Sequence, residues 1–231
     1  MTDSNGFTHF QMPEPIIFQT DSESEFYATI LEDLLLSIKE SISQRNKCVI
    51  GLSGGTTPEK LYQLLAAENL PWEKLIFITV DERYVPSDDP ESNLKMIRKS
   101  LFAHAPIPPE NIITFDTSLP IESAAKEMNR KLTSIHLDIL ILGVGEDGHI
   151  ASLFDNDKTS DELAYIATAR GYKTEQRLTL TLKALDSRKT LILLKGKKKR
   201  EIFDEIKSGT SSHTALNKIL KQDFVKVYYS A

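Results

Sequence analysis

The sequence predicts an α/β fold with a mostly parallel central sheet that is covered by helices on both faces. Three apolar runs predict fully buried strands: Lys47–Leu52 (KCVIGL), Leu75–Val80 (LIFITV) and Leu137–Leu142 (LDILIL). Segments with helical periodicity separate them. Continuous apolar strands that alternate with helices are typical of parallel sheets, because helices then pack on both faces of the sheet.

The first part of the chain follows this alternation. Pro15–Thr20 predicts a short strand, and Ser22 is the expected N-cap of a long helix. The apolar stripe of this helix repeats every four residues, at Phe26, Ile30, Leu34, Ile38 and Ile42. After the strand Lys47–Leu52, the segment SGGTTP leads into a second helix, and Thr56 with Glu59 fits a capping box.

The rest of the chain continues in the same way. Residues 81–92 are expected to form a loop, since they contain two prolines and several acidic residues. Later helices are predicted at Asn93–Phe102, Ile121–Thr133 and Lys197–Lys207, and later strands at Leu178–Leu182, Thr190–Leu194 and Val225–Ser230. No repeat or linker divides the sequence, so we expect residues 1–231 to form a single domain.

The composition limits the classes of function. A net charge of −5 argues against nucleic acid as the main partner, because phosphate neutralisation needs a basic surface. The single cysteine, Cys48, excludes an intramolecular disulfide and is expected to be a buried, inert thiol. No apolar stretch is long enough to cross a membrane, and the N-terminal residues lack the features of a secretory signal. We therefore expect a cytoplasmic protein with no membrane partner.

Ligands of parallel α/β sheets bind at the carboxyl ends of the strands, so the residues that follow each strand are the candidates for a site. Ser53, Gly54, Gly55 and Thr56 follow the first buried strand and precede a helix. Glycines let backbone N–H groups face an anion, and a helix N-terminus adds partial positive charge. This pattern predicts a phosphate or carboxylate cradle, although a plain strand-to-helix turn fits equally well. The ending G-K-[ST] of a P-loop is absent.

Charged residues follow the second buried strand. Asp81-Glu82-Arg83 comes directly after LIFITV. A guanidinium can hold an anionic or carbonyl oxygen, and Asp81 can orient a base or a sugar hydroxyl. Simple solvation of the three charges is the alternative. Ser92-Asn93 is expected to cap the next helix.

The third strand end, GVGEDGHIASLF at residues 143–154, contains the spacing G-x-G-x-x-G. A dinucleotide-binding turn with this spacing opens a helix and is followed by an acidic residue about 20 positions later. The residues HIASLF show no helical stripe. We interpret the glycines as allowing the backbone to pass close to a ligand.

His149 is the informative residue of this loop. An imidazole with an ordinary pKa of about 6.5 suits proton transfer near neutral pH, and Asp147 can fix its tautomer or a water. A structural histidine is the alternative. The five histidines are scattered and no cysteine pair exists, so we expect no metal site.

Cations cluster near the C-terminus. Arg177 begins the run RLTLTL, and residues 195–200 contain five cations in six positions. Cations at the start of a helix oppose its macrodipole, so we expect one or two of them to meet an anion and the others to be solvated. A nucleic-acid patch is the alternative interpretation.

The motifs SGGTTP, DERYVP with a following SN, GVGEDGHIASLF, and RLTLTL with GKKK resemble the 6-phosphogluconolactonase family in order and spacing. The resemblance spans nearly the whole chain. It implies a Rossmann-like three-layer sandwich fold. It also implies an enzyme of the pentose phosphate pathway that hydrolyses 6-phospho-D-glucono-1,5-lactone to 6-phospho-D-gluconate. It implies neither a metal nor a nucleotide cofactor. The expected partner is this small sugar-phosphate lactone, and the expected state is a monomer or weak homodimer.

The resemblance also implies roles for the candidate residues. His149 would be the general base, and Asp147 would orient either His149 or the attacking water. Arg83 and loop N–H groups would stabilise the oxyanion. Asp81 completes the catalytic set. The substrate phosphate would be held by Ser53, Gly54, Gly55 and Thr56, with Arg177 and Lys199 as counter-charges.

The related glucosamine-6-phosphate deaminases are a competing family. They carry a glutamate five residues after the histidine, where this chain has Phe154, and read roughly DEY at Asp81-Glu82-Arg83. Both differences favour the lactonase. Asp155 replaces the proline that is usual in lactonases and makes the local shape of the loop a departure from the pattern. A nicotinamide-dependent dehydrogenase and a non-catalytic sugar-phosphate sensor also compete with the lactonase.

Overall fold

The apolar runs form the central strands of a parallel sheet. The computed structural model describes residues 14–154 and 161–231. In chain order, its strands and α-helices are β1 (Ile16–Thr20), α1 (Glu23–Arg45), β2 (Cys48–Leu52), α2 (Thr56–Ala66), β3 (Leu75–Thr79), β4 (Asp81–Arg83), α3 (Asn93–Ile97), β5 (Ile112–Ile113), α4 (Ile121–Leu132), β6 (Leu137–Gly143), β7 (Ala164–Thr168), β8 (Gln176–Leu180), β9 (Ser187–Lys195), α5 (Arg200–Ser208), α6 (Thr214–Leu220) and β10 (Val225–Ser230).

The described strands make two sheets. The larger has seven parallel strands in the order β1-β10-β9-β6-β2-β3-β5. The smaller has three antiparallel strands in the order β4-β8-β7. The predicted α/β class with a mostly parallel central sheet is therefore confirmed.

Helices cover both faces of the larger sheet, as the residues of β6 show. Ile139 and Ile141 belong to the apolar core formed with α1 and α2. Leu140 and Leu142 point to the opposite face and belong to the core formed with α4, α5 and α6. Successive side chains of a strand point to opposite faces, so one continuous apolar run supplies both cores.

Two local predictions from the first half of the chain can be compared with the structure. Ser22 is the N-cap of α1, and its hydroxyl accepts a hydrogen bond from the backbone N–H of Glu25 at 3.2 Å. Cys48 is buried, and this burial raises the pKa of its thiol to about 12, as expected for an unreactive cysteine.

The prediction of a loop over residues 81–92 is wrong at its start. Asp81–Arg83 forms β4, which pairs with β8. The chain leaves the larger sheet at Val80, whose carbonyl accepts a hydrogen bond from the N–H of Leu180 at 2.8 Å. Charged residues occupy this strand because buried hydrogen-bond donors satisfy their carboxylates, which sequence periodicity does not reveal.

Three short elements are absent from the sequence prediction: β5, β7 and α6, which have two, five and seven residues. Elements this short carry little periodic signal. The predicted helix Lys197–Lys207 begins with a single 3₁₀ turn, Lys197–Lys199, and continues as α5. No helix within the two described ranges is long and apolar enough to cross a membrane.

We expect the substitution Ile141→Ala in β6 to lower the free energy of unfolding by about 3 kcal/mol, because it leaves a cavity under α1 and α2. Ile16→Ala is the matched control, since Ile16 lies on the edge strand β1 with 52% of its surface exposed. It should cost less than about 1 kcal/mol. Denaturant unfolding measures both values, and equal losses would contradict the placement of β6 at the centre.

Candidate active site

The carboxyl ends of β2, β3, β6 and β9 meet around a cavity of about 480 Å³. Among the described residues, its lining includes every predicted site residue except Asp147 and Arg177. The lining residues that follow these strands are Ser53–Pro58, Asp81, Arg83, Asn93, Gly143–Glu146, His149, Ala151, Lys195 and Lys199. Four segments that are distant in sequence thus converge, as expected for a parallel sheet.

The turn Ser53–Thr56 joins two of these strand ends. The buried Ser53 hydroxyl accepts a hydrogen bond from the backbone N–H of Gly143 at 2.9 Å, and its carbonyl accepts one from the Tyr62 hydroxyl at 2.8 Å. A serine hydroxyl can both accept and donate, so this contact leaves its proton for a ligand in the cavity. The ends of β2 and β6 are held together at this point.

The predicted capping box of Thr56 and Glu59 is wrong. The N-cap of α2 is Gly55, with φ of 106°, and no side chain accepts from the first turn. The helix therefore begins at Thr56, one residue earlier than a Thr56 cap requires. A first turn without a side-chain cap leaves N–H groups for a bound anion, and Gly55 and Thr56 line the cavity.

Gly54 is required by the close approach of Asn93. A Cβ atom at residue 54 would lie 2.0 Å from the Asn93 Oδ1 atom. The Asn93 side-chain amide also donates to Oδ1 of Asp81 at 3.1 Å. Asn93 begins α3, but helix capping alone does not explain it, because its side chain connects the SGGT turn to Asp81.

Asp81 is buried and fully engaged. Its Oδ2 atom accepts a hydrogen bond from the Ser152 hydroxyl at 2.7 Å, while Oδ1 faces Asn93. Ser152 lies on the loop that carries His149. The Asp81 carboxylate therefore connects the end of β3 to the loop that follows β6.

Glu82, which the sequence analysis did not select, fixes the chain on either side of the site. Its carboxylate accepts from the backbone N–H groups of Arg83, Asn93 and Leu94, each at 2.7 Å. It also accepts from the Ser92 hydroxyl at 3.1 Å. Burial raises the pKa of Glu82, and the backbone hydrogen bonds partly offset this rise.

Arg83 and Arg177 lie directly opposite each other in the β4–β8 ladder. Arg83 lines the cavity and donates from Nη1 to the carbonyl of Glu91 at 2.7 Å. Arg177 is only 6% exposed, and its Nε has no hydrogen-bond partner among the described residues. Burial, and then the charge of Arg83, lower the pKa of Arg177. Two adjacent guanidinium groups, one of them buried, favour an anion nearby.

His149 forms a hydrogen-bonded pair with Asp147. The His149 Nδ1 atom lies 2.5 Å from Oδ1 of Asp147. Burial alone would raise the pKa of Asp147, but the hydrogen bond and charge of His149, together with the hydroxyl of Tyr172, hold it below its ordinary value. A proton fixed on Nδ1 leaves Nε2 as the basic atom, and His149 lines the cavity.

Aromatic rings also surround His149. The Phe154 ring centre lies 4.8 Å from that of His149, and the Tyr172 ring packs edge-on at 5.8 Å. Phe154 was predicted only to distinguish the chain from deaminases, and Tyr172 was not among the predicted site residues. Residues 144–154 contain no helix, which supports the rejection of a dinucleotide-binding turn. Asp155 lies outside the described residues.

The basic segment contributes two lysines to the cavity. Lys199 is partly buried, and this burial lowers the pKa of its ammonium group, which Glu146 partly opposes. Lys195 also lines the cavity, and its Nζ lies 3.0 Å from the carboxylate of Glu23. Lys198 instead pairs with Glu146 at 3.1 Å. Of these cations, Lys195 and Lys199 line the cavity, and whether they meet an anion stays a prediction.

We expect Gly145→Ala to break the contact between His149 and Asp147. A Cβ atom at residue 145 would lie 2.2 Å from the His149 Nδ1 atom and 2.6 Å from Oδ1 of Asp147. The low-field proton resonance of the hydrogen-bonded Nδ1–H should disappear from the NMR spectrum. Gly143→Ala is the matched control, because its nearest contact would be an ordinary 3.5 Å, and it should retain the resonance. Retention in both variants would contradict the geometry.

Comparisons with known proteins identify the family of this chain. The family model described as "Glucosamine-6-phosphate isomerases/6-phosphogluconolactonase" matches residues 21–223. A 6-phosphogluconolactonase from Thermotoga maritima is 36% identical over 192 residues, which cover 81% of this chain and 87% of the relative. A probable 6-phosphogluconolactonase from Dictyostelium discoideum is 31% identical over 229 residues, covering 93% and 97%.

The fold is shared with a solved relative. The crystal structure of a Thermotoga maritima 6-phosphogluconolactonase superposes with a TM-score of 0.84 at 31% identity and covers 94% of this chain and 99% of that one. The match of the family model covers most of the chain. The chain therefore belongs to the glucosamine-6-phosphate isomerase/6-phosphogluconolactonase family.

Proposed function

We propose that this protein hydrolyses 6-phospho-D-glucono-1,5-lactone to 6-phospho-D-gluconate. The observation that carries the proposal is the shared cavity: His149, paired with Asp147, lines the same space as the uncapped start of α2. One part of the cavity offers a base and the other an anion site. The curated relatives named 6-phosphogluconolactonase support this substrate.

The reaction is an ester hydrolysis. Nε2 of His149 takes a proton from a water molecule as its oxygen attacks C1 of the lactone, and the carbonyl becomes an oxyanion. Arg83 is the donor that stabilises this oxyanion, a contribution of about 3 kcal/mol for a well-placed group. The bond from C1 to the ring oxygen then breaks, and the imidazolium returns the proton to that oxygen.

Asp147 and Asp81 have different parts in this mechanism. Asp147 accepts from Nδ1, so it keeps the proton on that nitrogen and stabilises the imidazolium that forms. Asp81 is already engaged by Ser152 and Asn93. We propose that it positions the loop of His149 and does not exchange a proton with the substrate.

The phosphate serves as a handle that orients C1 toward the histidine. Ser53, Gly54, Gly55 and Thr56 supply a hydroxyl and backbone N–H groups, and Lys199 supplies a charge. Arg177 remains part of the proposed phosphate site, although it lies next to Arg83 and is not a lining residue of the cavity. Its assignment therefore needs a test that distinguishes contact with the phosphate from contact near C1.

The deaminase function has less support from the site. Deaminases would need a carboxylate at residue 154, and here the Phe154 ring lies against His149 at 4.8 Å. An apolar ring cannot transfer a proton to a sugar.

We also propose that residues 1–231 form one domain that acts in the cytoplasm as a monomer or weak homodimer. Both apolar cores share the same seven-stranded sheet, which supports a single domain. Size-exclusion chromatography with light scattering would test the oligomeric state.

His149→Ala should lower kcat for the phosphorylated lactone by about 10³-fold, because it removes the general base. The assay must subtract spontaneous hydrolysis. Affinity for 6-phosphogluconate, measured by calorimetry, should stay within a few-fold, since the anion site is intact. Full turnover in this variant would refute the role of His149.

Arg177→Ala should raise KM for the phosphorylated lactone by more than about tenfold, because a charge-assisted contact to phosphate is lost. KM for unphosphorylated gluconolactone should change little. If KM rises equally for both substrates, Arg177 acts near C1 with Arg83 and does not bind the phosphate.

A further inference from the structure

The turn between β7 and β8, residues 169–175, contacts the site through a tyrosine. The Tyr172 hydroxyl donates to Oδ2 of Asp147 at 2.8 Å, and Oδ1 of the same carboxylate meets His149 at 2.5 Å. The three side chains thus form a continuous hydrogen-bonded chain. The edge of the Tyr172 ring also packs on the imidazole of His149, with the ring centres 5.8 Å apart.

The direction of the tyrosine hydrogen bond follows from its surroundings. Burial raises the pKa of Tyr172 to about 12, and the hydrogen bond to Asp147 adds to this rise. The hydroxyl therefore keeps its proton at neutral pH and can only donate it to the carboxylate. Asp147 consequently accepts three hydrogen bonds: Oδ2 accepts from Tyr172, and Oδ1 accepts from Nδ1 and, at 3.3 Å, from the backbone N–H of His149. Together these bonds fix the plane of its carboxylate.

The turn that carries Tyr172 is tied to the other wall of the site. Thr174 donates to Oε2 of Glu91 at 2.5 Å, and Nζ of Lys173 lies 2.5 Å from Oε1 of the same carboxylate. The backbone carbonyl of Glu91 accepts from Arg83. Hydrogen bonds thus connect the turn to Asp147 and His149 on one side and to Arg83 on the other.

We propose that Tyr172 is a positioning residue for the hydrolysis, acting through Asp147 to hold His149 in its basic orientation. The contact of Thr174 with Glu91 keeps the tyrosine in place. The proposal deepens the proposed function and rests on it. Tyr172 acts on Asp147 and does not need to touch the substrate, so its loss should affect turnover more than binding.

The charged and titratable groups around Tyr172, Asp147 and His149 determine how pH affects the hydrogen bonds among these three side chains. Besides Asp147, Tyr172 has Arg177 and Glu146 as electrostatic neighbours, and the charged neighbour of Asp147 is His149. Lys198 pairs with Glu146, Lys199 lies near the same glutamate, and the ring of His213 packs against Gly148. A Tyr172→Phe substitution leaves all these groups unchanged and removes one donor from Asp147.

The sign of the pH effect follows from this loss. Without the hydroxyl, the negative charge of Asp147 is less neutralised, so it holds the protonated form of His149 more strongly. The basic imidazole then forms only at higher pH. Asp147 itself also becomes easier to protonate, because one hydrogen bond that lowers its pKa is gone. The first change moves the acidic limb of the pH profile upward, because the imidazole sets that limb.

The decisive experiment compares Tyr172→Phe with Tyr84→Phe in the full chain. Tyr84 is a matched control, because its hydroxyl donates to the carbonyl of Leu119 at 2.9 Å and its loss removes one hydrogen bond away from His149. We expect Tyr172→Phe to lower kcat about tenfold with KM within about twofold, and to shift the acidic limb of kcat/KM upward by about half a pH unit. Tyr84→Phe should leave kcat, KM and the acidic limb of kcat/KM unchanged.

A second variant tests the tether, by which we mean the hydrogen bond from Thr174 to Glu91. Thr174→Val keeps the shape of the side chain but removes its hydrogen bond to Glu91, and it should lower kcat about threefold. The double variant should be no slower than Tyr172→Phe alone, because both changes act on the same contact. Additive losses would show that the tether does not act through Tyr172.

The proposal is overturned if Tyr172→Phe keeps wild-type kcat and pH profile, or if only its KM rises. A titration of the His149 ring by NMR needs no substrate and must show the same upward shift. If the wild-type protein does not hydrolyse the lactone, the proposed function fails while this titration still decides the role of Tyr172.

Discussion

The buried carboxylate of Asp81 holds the site together. It accepts hydrogen bonds from Ser152, 71 positions away in sequence, and from Asn93. Asn93 in turn packs against Gly54 so closely that a side chain there would overlap it. A buried carboxylate is costly unless donors satisfy it, so the three segments must assemble together around it. Asp81 thereby fixes the relative positions of the end of β3, the SGGT turn and the histidine loop.

Local electrostatics of the cavity differ from the charge of the whole protein. The chain carries a net charge of −5, yet the uncapped start of α2, Arg83, Arg177 and Lys199 concentrate positive potential at one edge of the sheet. Acidic residues near them are engaged by specific partners. Glu82 is held by backbone N–H groups and Glu91 by Lys173 and Thr174. An anionic substrate therefore meets a positive site on an acidic protein.

The sequence was sufficient to predict features that depend on residues close together along the chain. The parallel strands followed from uninterrupted apolar runs, and the rule that sites lie at strand ends selected seven residues that line the cavity. An eighth lining residue, Lys199, was selected through the family resemblance. Features that depend on pairing distant segments were missed. Neither β4 nor the juxtaposition of Arg83 with Arg177 can be read from local pattern, because both arise from pairing with β8. Tyr172 was missed for the same reason, since 25 positions separate it from Asp147.

The central claim is that the base and the anion site hold opposite ends of one substrate. A crystal structure of the protein with 6-phosphogluconate tests it most directly. We expect the phosphate to accept hydrogen bonds from the backbone N–H groups of Gly55 and Thr56, and the C1 carboxylate to lie within hydrogen-bond distance of Nε2 of His149. A ligand bound in the reverse direction, or outside this cavity, would contradict the account.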